Sequence, residues 1–444
     1  VCIPLLFLLS SYLALYVGLF SMGLVGLCSR PGICFFIIPV LWVALEYIRS
    51  FLLTGFPWEL MGYSQFRHLH LIQISDMFGV YGVSFLIALS NAALFLMFLC
   101  LARKDWHGAK VSKRLATGTM ALFTLIFGLV WLYGAQRVKS VDESGTVSPS
   151  IKAAIVQGNI DQAKKWDRLF RRFSTQKYID LSLSAKPEHP DLIVWPETAT
   201  PFYFVNNVRM TQMVMNGIQR AGSNFLIGSP SFIRKEKEEV DYHNSAYLIG
   251  PNGEIKGKYD KVHLVPFGEY VPLKKWLSFA GKIVEHAGDF KPGKKGDTIS
   301  LGDYRLGVQI CYEIIFPNLA GAMVKNGAVL LINITNDAWY GTTSAPYQHF
   351  SMTIFRAVEN KRSLIRSANT GISGFIDPVG RVIASTSLFE DAVLIHSVPL
   401  LNKRTIYTRV GDLFAIICLI IVLFFYLKRI IDRFKSVSQK NLGT

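Results

Sequence analysis

Three runs between Leu192 and Glu313 of this 444-residue chain each bring an apolar stretch up to side chains that can do chemistry. Leu192-Ile193-Val194-Trp195-Pro196-Glu197-Thr198 ends its apolar part with a proline and then presents Glu197, where a carboxylate can act as a general base. Lys258-Tyr259-Asp260-Lys261-Val262-His263-Leu264-Val265-Pro266-Phe267-Gly268-Glu269-Tyr270 carries Lys261 and Glu269 in a loop rich in aromatics and proline. Gly307-Val308-Gln309-Ile310-Cys311-Tyr312-Glu313 sets Cys311 at a strand end before a turn into helix, and a thiol there can be a nucleophile. Taken singly each has an ordinary explanation: a glutamate after proline is usually a solvated turn, a lysine in a basic loop is usually surface, and a lone cysteine is usually an inert buried thiol. Together they stand just after apolar strands, where open α/β sheets place their chemistry.

The elements that must position them alternate along the chain. Ile151–Gln157, Leu192–Trp195, Phe225–Gly228, Ser245–Ile249, Arg305–Ile310 and Val329–Ile334 read as buried strands, and Leu169–Ala185, Val208–Arg220, Asn318–Lys325 and Tyr347–Lys361 have helical periodicity. Pro251-Asn252-Gly253 and Asp377-Pro378-Val379-Gly380 mark two hairpins. The alternation predicts an α/β layered domain with helices on sheet. Other chemistries are set aside. Gly288–Lys295 imitates a phosphate-binding loop but ends in Lys where a Ser or Thr belongs, and no H-E-x-x-H, close Cys/His grouping or G-x-S-x-G occurs. Neither a metal nor a cofactor is expected.

A mean hydropathy of +0.32 with 18% charged residues excludes a disordered chain and an ordinary soluble enzyme. Ile3–Leu27, Val80–Leu101 and Leu115–Tyr133 contain no Asp, Glu, Lys or Arg and reach the roughly 20 residues that a bilayer crossing needs. Ile33–Leu53 is a fourth expected span, in which Glu46 and Arg49 at helical spacing can neutralise each other. Leu413–Leu427 is a fifth, extended by Ile430 and Ile431 if Lys428 and Arg429 reach for the interface. The expected domains are therefore a helix bundle over 1–134, a catalytic domain over 135–411, and a last span with a basic tail over 412–444. The loop Arg103–Arg114 and the tail after Leu427 each carry five Lys or Arg against one Asp, which places both in the cytoplasm and the large domain on the opposite side, and no nucleic-acid partner is expected. Five of the six cysteines lie in or beside the spans, leaving Cys311 alone in the large domain. Val1 opens in apolar sequence with neither Met nor a signal-peptide pattern, so the chain reads as a fragment, one missing an odd number of upstream spans if the true N-terminus is cytoplasmic.

In this order, and with Asn336-Asp337-Ala338-Trp339-Tyr340-Gly341 following the next strand, the three runs resemble the carbon–nitrogen hydrolase (nitrilase) superfamily. That resemblance implies an α-β-β-α sandwich with a Glu–Lys–Cys triad, here inserted between transmembrane helices. The whole layout, with Thr54-Gly55-Phe56-Pro57-Trp58 after a span, Val156-Gln157-Gly158-Asn159-Ile160 opening the domain and Val265–Pro272 within it, is similar to the apolipoprotein N-acyltransferase family of the bacterial inner membrane. Members usually have eight spans, which implies three upstream of Val1. The resemblance implies transfer of an acyl chain from a phospholipid such as phosphatidylethanolamine to the N-terminal amine of a diacylglyceryl-cysteine apolipoprotein. It makes Cys311 the nucleophile, Glu197 the base and Lys261 the oxyanion-stabilising cation, with Trp166, Glu269, Tyr312, Glu313 and Trp339 supporting or binding substrate.

Between Lys261 and Cys311, Val271–Val284 mixes Trp276, Leu277 and Phe279 with Lys274, Lys275 and Lys282. It reads either as an amphipathic helix on the domain's own core or as a lid dipping those three apolar side chains into the membrane surface. Two further functions fit the same sequence. A membrane-anchored amidase or nitrilase would use the triad with water as acceptor, although one anchor would serve it. A transporter or receptor with an inactive hydrolase-like domain would carry substitutions in the triad, and here there are none.

Overall fold

The computed structural model describes residues 2–235, 239–270 and 290–442, and the chain divides into two compact units, Val1–Gln136 with Val410–Thr444 and Arg137–Arg409. Among the described residues five helices are long and apolar enough to cross a bilayer: Leu6–Leu27, Pro31–Arg49, Val80–Leu101, Lys113–Glu143 and Leu413–Asp432. The second stops at Arg49 rather than at Leu53, which takes φ +54° beyond the helix end. The reason lies in the two charges, which turn to the chain that follows rather than only to each other. Glu46 Oε1 accepts the Met61 N–H at 2.6 Å, and Arg49 Nη2 donates to the carbonyls of Trp58 and Glu59 at 3.3 and 3.5 Å. The fourth helix continues past Tyr133 to Val147, since nothing in the polar stretch after Gly134 breaks it.

Among the described residues the second unit has twelve strands: β1 (Ser150–Gln157), β2 (Leu192–Val194), β3 (Asn224–Arg234), β4 (Val240–Ile249), β5 (Ile255–Asp260), β6 (Ile299–Leu301), β7 (Tyr304–Ile310), β8 (Ala328–Thr335), β9 (Ser363–Ala368), β10 (Gly374–Ile376), β11 (Val382–Ser385) and β12 (Ala392–Pro399). They form two six-stranded sheets, in the orders β12-β1-β2-β3-β4-β5 and β11-β10-β9-β8-β7-β6. Each sheet has three parallel strands at its centre, β1-β2-β3 and β7-β8-β9, flanked by antiparallel ones. Parallel neighbours need crossovers, which are the helices α1 (Arg168–Ser184), α2 (Val208–Ala221), α3 (Pro317–Lys325) and α4 (Ala345–Asn360). The sheets face each other, β1 against β9 and β4 against β7, and the helices cover the outer faces, giving an α-β-β-α sandwich.

This layering explains the unbroken apolar runs. Ala154, Val156, Ile193, Trp195, Phe225 and Ile227 meet Tyr178, Ile179, Val214 and Ile218 of α1 and α2, while the alternate residues Ile155, Val194 and Leu226 are buried toward the other sheet. Both hairpins form at the expected turns, joining β4 to β5 and β10 to β11. Strands β5, β6 and β9 to β12 escaped the apolar pattern. Some are short or at sheet edges, and β9 carries a charged residue, Arg366, at a fully buried position.

Candidate functional site

The carboxyl ends of the parallel strands converge, and each functional side chain is set by the backbone that follows its strand. After β2 the Trp195 N–H still bonds the Leu226 carbonyl, and the chain then runs close over β3 at Gly228. A Cβ there would stand 2.5 Å from the Pro196 oxygen and 2.7 Å from Glu197 Cα, so only glycine lets Glu197 take its place. Lys261 directly follows β5, its N–H on the Asn244 carbonyl at 2.8 Å, with its side chain 1% exposed. Cys311 directly follows β7, buried, at φ +54°, a conformation strained for any residue with a Cβ.

Lys261 Nζ lies 2.9 Å from Glu269 Oε1 and 3.7 Å from Glu197 Oε1. Asn244 Nδ2 donates to both carboxylates, at 2.8 Å to Glu197 and 2.9 Å to Glu269, so the two acids are spaced by one amide. The other Glu197 oxygen accepts the Asn336 N–H at 2.9 Å, and the other Glu269 oxygen accepts the Val265 N–H at 2.8 Å. Burial alone would lower the Lys261 ammonium, but the charges of Glu269 and Glu197 outweigh it and hold the lysine well above its ordinary value. Burial, reinforced by Glu197 and opposed by Lys261, pushes the Cys311 thiol up to about 12. A thiol in this field rests protonated, next to a carboxylate able to take its proton and a cation able to meet an oxyanion.

Glu313 ties two of these loops together. Fully buried, it accepts from the Val262 and His263 N–H groups at 2.6 and 3.0 Å beyond Lys261, and from the Ile310 N–H at 2.7 Å before Cys311. The Tyr259 hydroxyl completes its shell, 3.0 Å from each oxygen. Burial pushes this carboxyl up to about 7 against the pull of its N–H donors.

A carbon–nitrogen hydrolase family model matches residues 152–405, and a model of the apolipoprotein N-acyltransferase N-terminal domain matches residues 1–93. An apolipoprotein N-acyltransferase from Geobacter metallireducens is 45% identical over 420 residues, covering 94% of this chain and 78% of that protein. This chain belongs to the apolipoprotein N-acyltransferase family. Another member, from Rickettsia typhi, is 34% identical over 86% of this chain and 74% of its own length. The chain is thus a multi-pass membrane acyltransferase with a nitrilase-type domain.

In this family member the residues expected from sequence fall into three groups. Glu197, Lys261, Glu269 and Cys311 are brought together, and Glu313 sits behind them. Tyr312 is buried and packs edge-on against Phe316 at 5.3 Å. Trp166 and Trp339 remain on the surface, 49% and 75% exposed. The lid residues Trp276, Leu277 and Phe279 fall at 271–289, outside the described residues.

Sequence reasoning missed Asn244, Lys165 and a buried polar set behind Cys311. In that set Asp337 accepts from Thr335 Oγ1 at 2.9 Å and lies 3.0 Å from His349 Nδ1 and 2.8 Å from Arg366 Nη2. Arg366 also bonds Asn333, whose amide reaches the Cys311 carbonyl at 3.4 Å. Burial would raise Asp337, but Arg366 and His349 hold it below the usual carboxylate range. A visible signal existed for Asn244, a polar residue inside a strand that then turns apolar. For Lys165 the signal misled, because one of two adjacent lysines beside an exposed tryptophan reads as surface.

Proposed function

We propose that Cys311, Glu197 and Lys261 carry out a two-step acyl transfer, from a phospholipid to Cys311 and then to the N-terminal amine of a diacylglyceryl-cysteine apolipoprotein. The observation that carries this reading is the buried cluster of one thiol, one clamped ammonium and one carboxylate at adjoining strand ends. In the first step Sγ attacks the ester carbonyl while Glu197 takes the thiol proton. Lys261 offsets the charge on the developing oxyanion, an effect worth roughly 10²–10³ in rate for one such donor. The C–O bond then breaks, Glu197 passes the proton to the departing lysophospholipid alkoxide, and the acyl group remains as a thioester. In the second step the amine attacks the thioester and the thiol is restored. Glu269 and Asn244 keep Lys261 and Glu197 in place, and Glu313 fixes the loops. The basic loop Arg103–Arg114 and the basic tail favour a cytoplasmic placement for both, which sets the catalytic unit on the outer face of the bacterial inner membrane.

The test is intact-mass measurement of the purified protein in vesicles of labelled phosphatidylethanolamine without acceptor. One acyl adduct that hydroxylamine removes at neutral pH is expected on the wild type and not on Cys311→Ala; an adduct on the variant would refute the nucleophile. Adding a diacylglyceryl peptide should move the label to the peptide. Release as free fatty acid in the presence of peptide would instead make water the acceptor.

A further inference from the structure

We propose that Lys165 is a further catalytic residue, the proton acceptor that neutralises the incoming ammonium group before it attacks the acylated Cys311; this rests on the two-step reading above. Lys165 sits in a turn after β1, where the N–H groups of Lys164 and Lys165 bond the Asp161 carbonyl at 3.2 and 3.0 Å. The turn sends neighbouring side chains in opposite directions. Lys165 is 2% exposed, whereas Trp166 is 49% exposed, so the buried amine lies one residue from the surface. Its Nζ donates to the main-chain carbonyl of Glu197 at 3.3 Å, directly beside the base.

The two buried lysines of the site are held differently. Lys261 has carboxylates at 2.9 and 3.7 Å that keep its proton in place. Among the described residues Lys165 has no carboxylate within ion-pair distance, and a buried ammonium on one long carbonyl contact is poorly stabilised. The titratable groups that act on it are Glu197 and Cys311, and burial outweighs both, pulling the amine down to about 8. An ordinary α-amine titrates at about 7.7–8.0, so a proton passes between the two at little cost.

Proton accounting explains why the second step needs such a group. Acylation is proton-neutral, because Glu197 moves the thiol proton to the leaving alkoxide. An acceptor arriving as an ammonium carries two protons more than the amide nitrogen it becomes. One returns to the Cys311 sulfur by way of Glu197 when the C–S bond breaks. The other must leave before attack, since an ammonium has no free electron pair. Lys165 in its neutral form, the minority near neutral pH that grows as the pH rises toward about 8, takes that proton, becomes an ammonium, and later releases it to solvent.

Wild type, Lys165→Met and Lys165→Arg in phosphatidylethanolamine vesicles are allowed to form the Cys311 adduct. Each is then chased at neutral pH with a diacylglyceryl-cysteine peptide or with hydroxylamine, an amine already uncharged there. Both variants are expected to discharge to the peptide up to about tenfold more slowly, the limit set by the roughly one tenth of an α-amine of pKa 7.7–8.0 that is already uncharged at neutral pH. Discharge to hydroxylamine should keep the wild-type rate, and the peptide defect should shrink above the pKa of the peptide amine. Arginine restoring transfer would show a permanent cation and overturn the proposal. Equal slowing with both acceptors, no slowing with either, or failure of the variants to form the adduct would overturn it as well. Absence of the adduct on the wild type would instead overturn the two-step reading itself.

Discussion

Exchanging Glu313 for Gln keeps the volume of a fully buried side chain and removes one of its two acceptor oxygens. Oε1 accepts from Val262, His263 and Tyr259, and Oε2 from Ile310 and Tyr259. A glutamine must therefore aim its NH₂ either at the Ile310 N–H or at the paired N–H groups of Val262 and His263. The first choice orphans the fewest donors. One buried N–H left without a partner and facing another donor costs about 2–3 kcal/mol, which makes local opening at that amide roughly 30–150-fold more frequent. Because Ile310 directly precedes Cys311, the cysteine loses the anchor of its strained turn. Hydrogen exchange resolved to single amides should show that acceleration at Ile310, with Val262 and His263 less affected. Acylation of Cys311 should fall about tenfold or more over the same comparison. Unchanged protection at all three amides together with wild-type acylation would refute Glu313 as the tie between the Lys261 and Cys311 loops.

Gly228→Ala places a methyl 2.5 Å from the Pro196 oxygen, so it should cost about 1–3 kcal/mol in thermal unfolding and slow acylation by shifting Glu197; wild-type values in both assays would show that the backbone there yields freely. Asp337→Asn leaves the Arg366 guanidinium buried without its carboxylate and should destabilise by about 3–5 kcal/mol at neutral pH. Since folding lowers the Asp337 pKa, its contribution is full above an unfolded value of about 3.9 and is lost as the pH falls below it; melting temperature against pH should lose that acid limb in the variant. Lys165→Met should be more stable than wild type although less active. Folding lowers the lysine from 10.5 to about 8, so its charge opposes folding fully below about 8 and not at all above 10.5. The variant should gain roughly 3 kcal/mol at neutral pH, with the gain vanishing as the pH rises through that window. A melting temperature unchanged at neutral pH would mean that the amine is not confined as described.

How much of the site could be read without coordinates follows from where its energy lies. Apolar length alone marks the membrane helices, because a bilayer demands continuous hydrophobicity along one segment. Five of the six strands of the parallel centres, β1, β2, β3, β7 and β8, are visible for the same reason, being covered on two faces. Glu197 and Cys311 are also visible, since each follows an apolar strand by a residue or a few and a strand end is a local feature of the chain, whereas Lys261 stands out only through the run Lys258–Tyr270 that carries the family resemblance. Edge strands such as β5, and β9 with Arg366 inside it, carry no such pattern; their burial depends on partners in other strands or on the other sheet. Tertiary structure likewise decided the partnerships. One asparagine on β4 spaces two acids, a glutamate after Cys311 holds the loop after Lys261, and a lysine that reads as surface turns inward to the carbonyl of Glu197. Those are hydrogen bonds and charges between distant segments. Their strength depends on distance and on the exclusion of water, neither of which is a property of the residues in sequence order.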